Sequence, residues 1–531
     1  MLTTTTTPFD LGAPTKFKQW REGQLRAVVK AFNSDKRFVA LSLPTGSGKT
    51  LIYMCLANMF ARQTGLRVCV LTSTKALQDQ LARDFGNDLV DVRGMNNYPC
   101  VPLQSGGEFY DPSEDEWQRN CDRGPCKTGT MCKLRHSGCH YFDKVRAASS
   151  ARVVSTNYAY WMAGAKSLGP IDLLVLDEAH KAPAELAGFL STSLSHLELR
   201  GMLGSHSGAE SAAGWADWAS GKLIEVRERM ISGLSSYHDR THAREQRALE
   251  RIERKLKIIA MCDDDWIIER TDKGMRFDPI WPRKLNHYLF KNAKKVIMTS
   301  ATVRPKTCEL LGIDPDELYF YESDSVFPLE RRPFIHIPTV RLNHRSSPEA
   351  LRHWAVTIDQ IINKRPGLSG VIHTVSYQRM HYLLAQSQHS ERMMTHDTRT
   401  TARVVEQFKS STAGSILVSP SATTGYDFPY SQCRWQIISK VPFPDTRSKI
   451  LKARCKDDKE FGMYLAMQEL VQASGRGMRA SDDWCEVFCV DDNVGWFLNK
   501  YKHFAPKWFI ESYSKKTLIP KLCNFDNGDG S

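Results

Sequence analysis

The feature that most restricts how this chain can fold lies near its start, where an apolar run, a glycine-rich turn and a helical run follow one another without a break. Phe38 to Leu43 reads as a buried strand, Pro44-Thr45-Gly46-Ser47-Gly48-Lys49-Thr50 as the turn, and Leu51 to Arg62 as the helix. A strand entering a helix through such a turn aims successive backbone N–H groups and the positive end of the helix dipole at one spot, which suits phosphate oxygens. There Lys49 is placed to contact the β- and γ-phosphates of a nucleotide, and Thr50 to ligate Mg2+. The strict phosphate-loop pattern has Gly where this chain has Leu43. An ordinary glycine-rich βα turn is the alternative, and the strand and helix on either side count against it.

The same alternation runs on. Val68 to Thr72, Val153 to Ser155, Leu173 to Leu176 and Val296 to Met298 read as buried strands of a first α/β unit, and Gly370 to Thr374, Ile416 to Ser419, Trp435 to Ser439 and Glu486 to Val490 as those of a second. Short apolar runs separated by helical patterns signal parallel sheets flanked by helices. The boundary falls between about Glu330 and Pro348. Residues 1–93, 146–181 and 286–335 then form the first unit and its linker, and residues 336–531 form the second. Two segments interrupt the first unit. Residues 94–145 are rich in Cys, Gly and charge, and residues 182–285 read as helical, with Leu249, Ile252, Leu256 and Ile259 on one face.

Charge and cysteine usage narrow the class. A formal net charge of +13 favours a polyanionic partner, because a basic surface displaces counterions from phosphate backbones. No run of eighteen or more uncharged apolar residues is present, and the start MLTTTTTPFD lacks the regions of a secretory signal. Of 14 cysteines, Cys100, Cys121, Cys126, Cys132 and Cys139 crowd together, which in a reducing compartment reads as a metal site before it reads as disulfides. Fe-S and structural zinc would both take four of the five.

Two further segments complete a reaction centre. The apolar run Asp172-Leu-Leu-Val-Leu-Asp-Glu-Ala-His180 delivers Asp177 and Glu178 to the carboxyl end of a strand, where ligands bind in open α/β sheets. Asp177 can hold Mg2+ through its hydration shell, and Glu178 can orient and deprotonate an attacking water. In Gln472-Ala-Ser-Gly-Arg-Gly-Met-Arg479, Arg476 and Arg479 share a face and can reach from the second unit across a cleft to a γ-phosphate. Two solvated arginines would be the plain reading of that spacing by itself. Its place opposite a complete phosphate site reverses the preference.

Nine segments in order resemble superfamily 2 helicases, and specifically the iron-sulfur XPD/DinG family: Arg21 to Gln24, Leu43 to Thr50, Thr72 to Gln78, the cysteine cluster, Asp177 to His180, Thr299 to Thr302, Gly370 to Tyr377, Ser419 to Asp427, and Gln472 to Arg479. The resemblance implies two RecA-like parallel-sheet motor domains with ATP and Mg2+ between them, a 4Fe-4S domain at 94–145 and a shortened helical arch at 182–285. It implies an ATP-dependent DNA helicase moving on single-stranded DNA, expected 5′ to 3′, and opening forked duplex DNA. Cluster ligands are assigned to Cys100, Cys126, Cys132 and Cys139, because the last three abut the family's closing segment; Cys121 is set aside, with an exchange for Cys126 or Cys132 left open. Gln24 is assigned to adenine and Asp427 to coupling, while Thr74, Ser300, Thr302, His373, Ser376 and Tyr377 lie where such helicases contact nucleic acid or relay the nucleotide state. Gln472 joins Lys49, Asp177, Glu178, Arg476 and Arg479 in the reaction centre. A monomer in the cytoplasm of a bacterium or a phage-infected cell is expected, with a role in DNA repair and no membrane contact. Neither an N-terminal nuclease region nor a long C-terminal extension is expected, so protein partners go unnamed. A translocase or RNA remodeller without strand separation, and a zinc-bound nucleic-acid scaffold, are the alternatives.

Overall fold

The computed structural model describes residues 5–86, 88–127, 131–204, 210–233, 240–291, 293–343, 345–420, 426–480 and 482–522. The apolar runs become strands because each can be covered on both faces. In the first lobe these are β1 (Phe38–Ser42), β2 (Val68–Thr72), β3 (Val90–Asp91), β4 (Val153–Asn157) and β5 (Leu173–Asp177). A three-stranded sheet follows, from β6 (Thr192–Ser195), β7 (Trp266–Thr271) and β8 (Gly274–Pro279); the chain then returns to the first lobe with β9 (Lys295–Ser300) and β10 (Leu318–Glu322). The second lobe contains β11 (Phe334–Val340), β12 (Gly370–His373), β13 (Met393–Met394), β14 (Ile416–Ser419), β15 (Trp435–Ile438), β16 (Glu486–Asp491) and β17 (Tyr513–Lys515).

Both large sheets have seven strands, ordered β10-β1-β9-β5-β2-β4-β3 and β13-β14-β12-β15-β16-β11-β17. Every pairing in them is parallel. Along β1, Val39 and Leu41 pack with Ile52 and Tyr53 of the helix Lys49–Met59, while Phe38 and Ala40 face the opposite core. Successive side chains point to opposite faces, so a strand buried on both sides must be apolar throughout. The strand order also fixes the site. β9 lies between β1 and β5, pairing Ser42 with Ser300 and Thr299 with Asp177. Three chemistry-bearing carboxyl ends therefore stand side by side, about 4.8 Å apart from strand to strand.

The chain passes from the first large sheet to the second between β10 and β11, so the stretch between Glu330 and Pro348, expected to hold the boundary, overlaps that passage at its start and then contains β11, an interior strand between β16 and β17. Pro338 disguises it: a proline cannot donate to the ladder, and the pairing of β11 with β16 shifts between His336 and Val340. Residues 182–285, expected to be helical, also hold the antiparallel sheet β6-β8-β7. Its hairpin turns at Thr271-Asp272-Lys273-Gly274, where Gly274 has φ +142° and a Cβ would sit 2.0 Å from the Leu194 carbonyl oxygen. The helical part is as expected, with Leu249, Ile252, Leu256 and Ile259 of the helix Arg240–Ile259 all buried.

This insertion is also fastened to the second lobe. The Trp281 indole donates to Asp457 Oδ2 at 2.6 Å, its ring meets Phe461 edge-on at 5.2 Å, and Arg454 Nε donates to the Ile280 carbonyl at 2.6 Å. Inside the second lobe, Arg365 and Glu486 form a bidentate pair at 2.8 and 3.0 Å with both side chains 0% exposed. Glu486 opens β16, so the pair ties that strand to the end of the helix Pro348–Asn363. Removing one partner strands the other charge in a dry interior. Glu486→Gln is expected to lower unfolding stability by about 3–5 kcal/mol, whereas Arg365→Met/Glu486→Leu recovers most of the loss, as read from urea unfolding midpoints.

Candidate nucleotide site between the two lobes

The turn after β1 takes its shape from two glycines, Gly46 at φ +74° and Gly48 at φ +76°, a region open to glycine at little cost. The helix Lys49–Met59 starts there, and Lys49 Nζ lies 3.9 Å from Glu178 Oε1. Arg21 Nη1 donates to the Gly46 carbonyl at 2.8 Å, and Gln24 Nε2 to the Ser47 carbonyl at 2.7 Å. Gln24 Oε1 accepts from the Arg21 amide at 2.8 Å. Gln24 is thus a brace beneath the turn in this arrangement, and Arg21, which the sequence reading passed over, is a second.

Asp177 ends β5, and its Oδ1 accepts from the Glu178 amide at 2.9 Å. Glu178 sits at φ 48°, an uncommon conformation for a residue with a side chain and one that tends to occur at functional sites. His180 Nδ1 approaches Glu178 Oε2 at 3.2 Å and Ser300 Oγ at 2.7 Å. Burial, and then the neighbouring Glu178 charge, push the Asp177 carboxyl up. Burial also opposes charge on Glu178, but Lys49 and then His180 outweigh it and hold that carboxyl well below its usual range.

The second lobe closes over this group. The segment after the helix Phe461–Ser474 brings Arg476 and Arg479 into the electrostatic field of Glu178. Burial lowers both guanidinium groups, Arg479 to about 10, and the Glu178 charge opposes that shift in each. Asp427 holds them from behind: it pairs with Arg479, and Arg476 Nη1 lies 3.7 Å from the same carboxylate. Thr424 and Gly425, the start of that motif, lie outside the described residues. Gln472 Nε2 donates to Thr302 Oγ1 across the cleft at 2.9 Å, and Thr302 N donates to Ser300 Oγ at 3.1 Å. A hydrogen-bonded path therefore runs from Glu178 through His180, Ser300 and Thr302 to Gln472, whose Oε1 accepts from Arg476 Nη2 at 3.3 Å.

Of the six residues expected along a nucleic-acid path, Ser300, Thr302 and His373 are 0%, 1% and 6% exposed. His373 Nε2 meets Gln436 Oε1 at 3.1 Å, and Gln436 Nε2 donates to the Ser474 carbonyl at 3.2 Å, just before Arg476. Thr74 and Ser376 cap helices, accepting from the amides of Leu77 and Arg379 at 3.3 Å. Tyr377 packs partly into the second-lobe core, with its hydroxyl buried and lacking a hydrogen-bond partner. Sequence reasoning missed Val375, a β-branched residue at φ 63° between His373 and Ser376; no residue pattern announces a backbone angle.

In the cysteine-rich insertion, Cys100 and Cys121 are buried together with Leu103, and Cys139 packs against them. Cys121 Sγ lies 4.0 Å from Cys139 Sγ, so the thiol set aside on sequence grounds sits inside the cluster. Burial, and then the proximity of Cys100 and the other thiols, push Cys126 up to about 11. Residues 128–130, between Cys126 and Cys132, lie outside the described residues. Among the described residues, no group of three or more His, Cys, Asp or Glu side chains is arranged to hold a metal ion. No helix among them is long and apolar enough to cross a membrane.

Comparison with known proteins agrees with this geometry. Residues 15–199 match the family described as type III restriction enzyme, res subunit, and residues 358–512 match that described as helicase C-terminal domain. The protein named 3'-5' exonuclease DinG from Staphylococcus epidermidis is 26% identical over 212 residues, which cover 32% of this chain and 23% of that one. The general transcription and DNA repair factor IIH helicase subunit XPD/RAD3 of Saccharomyces cerevisiae is 27% identical over 138 residues, 23% of this chain and 17% of that one. The chain thus matches a quarter or less of the length of these relatives. A solved XPD helicase superposes with a TM-score of 0.59 at 15% identity, covering 94% of this chain and 100% of its own. The S. tokodaii Xpd4 structure gives 0.55 at 13% identity, covering 93% and 100%.

The cleft is tight enough to test. A Cβ on Gly475, whose own backbone is unremarkable at φ −91°, would lie 2.6 Å from Thr45 Cγ2 of the opposite lobe. Gly475→Ala is expected to hold the lobes apart by a fraction of their present approach, cutting steady-state ATP turnover by ~100-fold while leaving nucleotide binding to the first lobe intact. Unchanged turnover would mean that this approach is irrelevant to the chemistry.

Proposed function

We propose that the chain is an XPD/DinG-like superfamily 2 helicase that hydrolyses ATP in the cleft between its lobes to move along single-stranded DNA and open duplex at a fork. The observation that carries the reading is the convergence on Glu178: Lys49 reaches it from its own lobe, and the charges of Arg476 and Arg479 act on it from the other. Lys49 and the turn amides bind the phosphates. Thr50 and Asp177 are the groups that would hold Mg2+, and an all-oxygen donor pair beside a phosphate cradle fits that ion. Bound there, Mg2+ neutralises charge on the phosphates. Glu178, ionised and braced by His180, orients the attacking water and takes its proton. Arg476 and Arg479 stabilise the charge that develops on the transferred group. Loss of that charge after hydrolysis weakens the attraction between lobes, and the path through Ser300, Thr302 and Gln472 carries the change to the second lobe. Movement 5′ to 3′ is the polarity we assign.

A 4Fe-4S cluster in the cysteine-rich insertion belongs to the same proposal. The donors fit: all five thiols there are free, and cluster iron takes four thiolates. Cys100, Cys126, Cys132 and Cys139 are the assigned set, and the contact between Cys121 and Cys139 makes Cys121 a rival for one place. Bound, the cluster would supply a rigid cross-link for a segment whose described residues form short turns and the isolated bridge between Pro99 and Asn120. Anaerobically purified protein is expected to show visible iron-sulfur absorption, with iron in excess of zinc. A colourless protein with stoichiometric zinc would replace this cluster with a structural zinc.

Lys49→Ala is expected to abolish ATP turnover while leaving single-stranded DNA binding intact, measured by phosphate release and fluorescence anisotropy. Retained turnover would remove the phosphate-site assignment. DNA affinity itself is expected to fall by roughly a thousandfold between about 50 and 200 mM salt if some six phosphates are contacted. A flat salt response would contradict a groove that tracks the DNA backbone.

A further inference from the structure

Tyr53 stands one turn beyond Lys49 in the helix Lys49–Met59, among Ile52, Met54, Cys55 and Leu56, with no exposed surface. Its hydroxyl donates to Asp177 Oδ2 at 3.2 Å, on the oxygen that the Glu178 amide leaves free. A buried hydroxyl therefore holds one of the two residues assigned above to Mg2+. A second buried tyrosine provides a natural control: Tyr158 donates to the backbone carbonyl of Asp177, not to its carboxylate, at 3.0 Å. A phenol in an apolar core is costly unless its oxygen is paired, and these two are paired with the two ends of a single aspartate.

We propose that Tyr53 is a positioning residue for the metal: its hydroxyl fixes the Asp177 carboxylate in one orientation, so that it faces the ion without rearrangement. The inference rests on the ATP-site reading above and deepens it. With Oδ1 held by the Glu178 amide and Oδ2 by Tyr53, the carboxylate cannot turn about its own axis without breaking a hydrogen bond. Each oxygen keeps a lone pair for the ion or its waters. Partners of this kind orient metal-holding groups, and their loss typically weakens metal affinity by about 10- to 100-fold. The side-chain oxygen that Tyr53 meets belongs to Asp177, so its effect passes through that carboxylate.

The test compares wild type, Tyr53→Phe and Tyr158→Phe by titrating Mg2+ against binding of a fluorescent ADP analogue, with metal-free binding measured in EDTA and ATP turnover followed in parallel. Tyr53→Phe keeps the ring and removes one oxygen. Its half-saturating Mg2+ is expected to rise by about tenfold or more, with metal-free binding unchanged and turnover recovering at high Mg2+. Tyr158→Phe is expected to bind Mg2+ and nucleotide like wild type. An unshifted Mg2+ midpoint in Tyr53→Phe, an equal shift in Tyr158→Phe, or loss of metal-free binding in Tyr53→Phe would each overturn the proposal, the last two by showing a general loosening of the core. If wild type itself binds the analogue without regard to Mg2+, the ATP-site reading falls first and takes this inference with it.

Discussion

Everything the cleft does depends on one carboxylate being served from two sides. Glu178 is largely withdrawn from water, with 23% of its side chain exposed, and such a carboxylate stays ionised most readily where compensating charge is close. Lys49 supplies part of that charge from the first lobe, and Arg476 and Arg479 add to it from the second. The lobes have no strand in common and meet over side chains, so electrostatics at this point couples their approach to whatever occupies the cleft. Because the attraction is between charges in a poorly solvated space, it responds to a change in phosphate charge far more strongly than apolar packing could.

The rest of the structure keeps that geometry from drifting. Adjacent strands β1, β9 and β5 set the spacing of the phosphate turn, the Ser300 segment and the Asp177–Glu178 pair. Bulk is excluded where backbones approach, at Gly46 beneath Phe327 and at Gly475 beside Thr45. Uncommon backbone angles at Glu178 and Val375 are held by the packing around them, a strain on the order of 1–3 kcal/mol each that two well-buried sheets can sustain. The insertion between β5 and β9 is part of this frame, since Trp281 and Ile280 bind it to Asp457 and Arg454 of the second lobe.

Much of this was legible in the residues. Nine of the strands in the two large sheets follow from apolar runs, with ends displaced by a residue or two, because a doubly covered strand has no choice but to be apolar. The phosphate turn, Asp177, Glu178, Arg476 and Arg479 were readable for a related reason: the chemistry demands those residue types at the ends of those elements. β11 was hidden by Pro338, and the sheet β6-β8-β7 by the strongly helical segments around it, although Thr271-Asp272-Lys273-Gly274 between two β-rich runs is a hairpin signal. Residues that act by touching other residues were the least legible. Tyr53 reads as one more apolar position in a buried helix, and Ser300 and Thr302 are placed on a nucleic-acid or relay path only through the family resemblance. Their partners in space are Asp177 for Tyr53, His180 for Ser300 and Gln472 for Thr302. Cys121 fails in the same way, because spacing along the chain does not reveal which thiols meet across a loop.

The most direct test of the account is single-turnover ATP hydrolysis by Arg476→Ala, with nucleotide affinity measured on the same protein. If the guanidinium reaches across the cleft to the reacting phosphate, hydrolysis falls by about a thousandfold or more while affinity changes little, because the contact strengthens as charge develops. Hydrolysis at the wild-type rate, with the lobes still joined, would show that the second lobe takes no part in the chemistry.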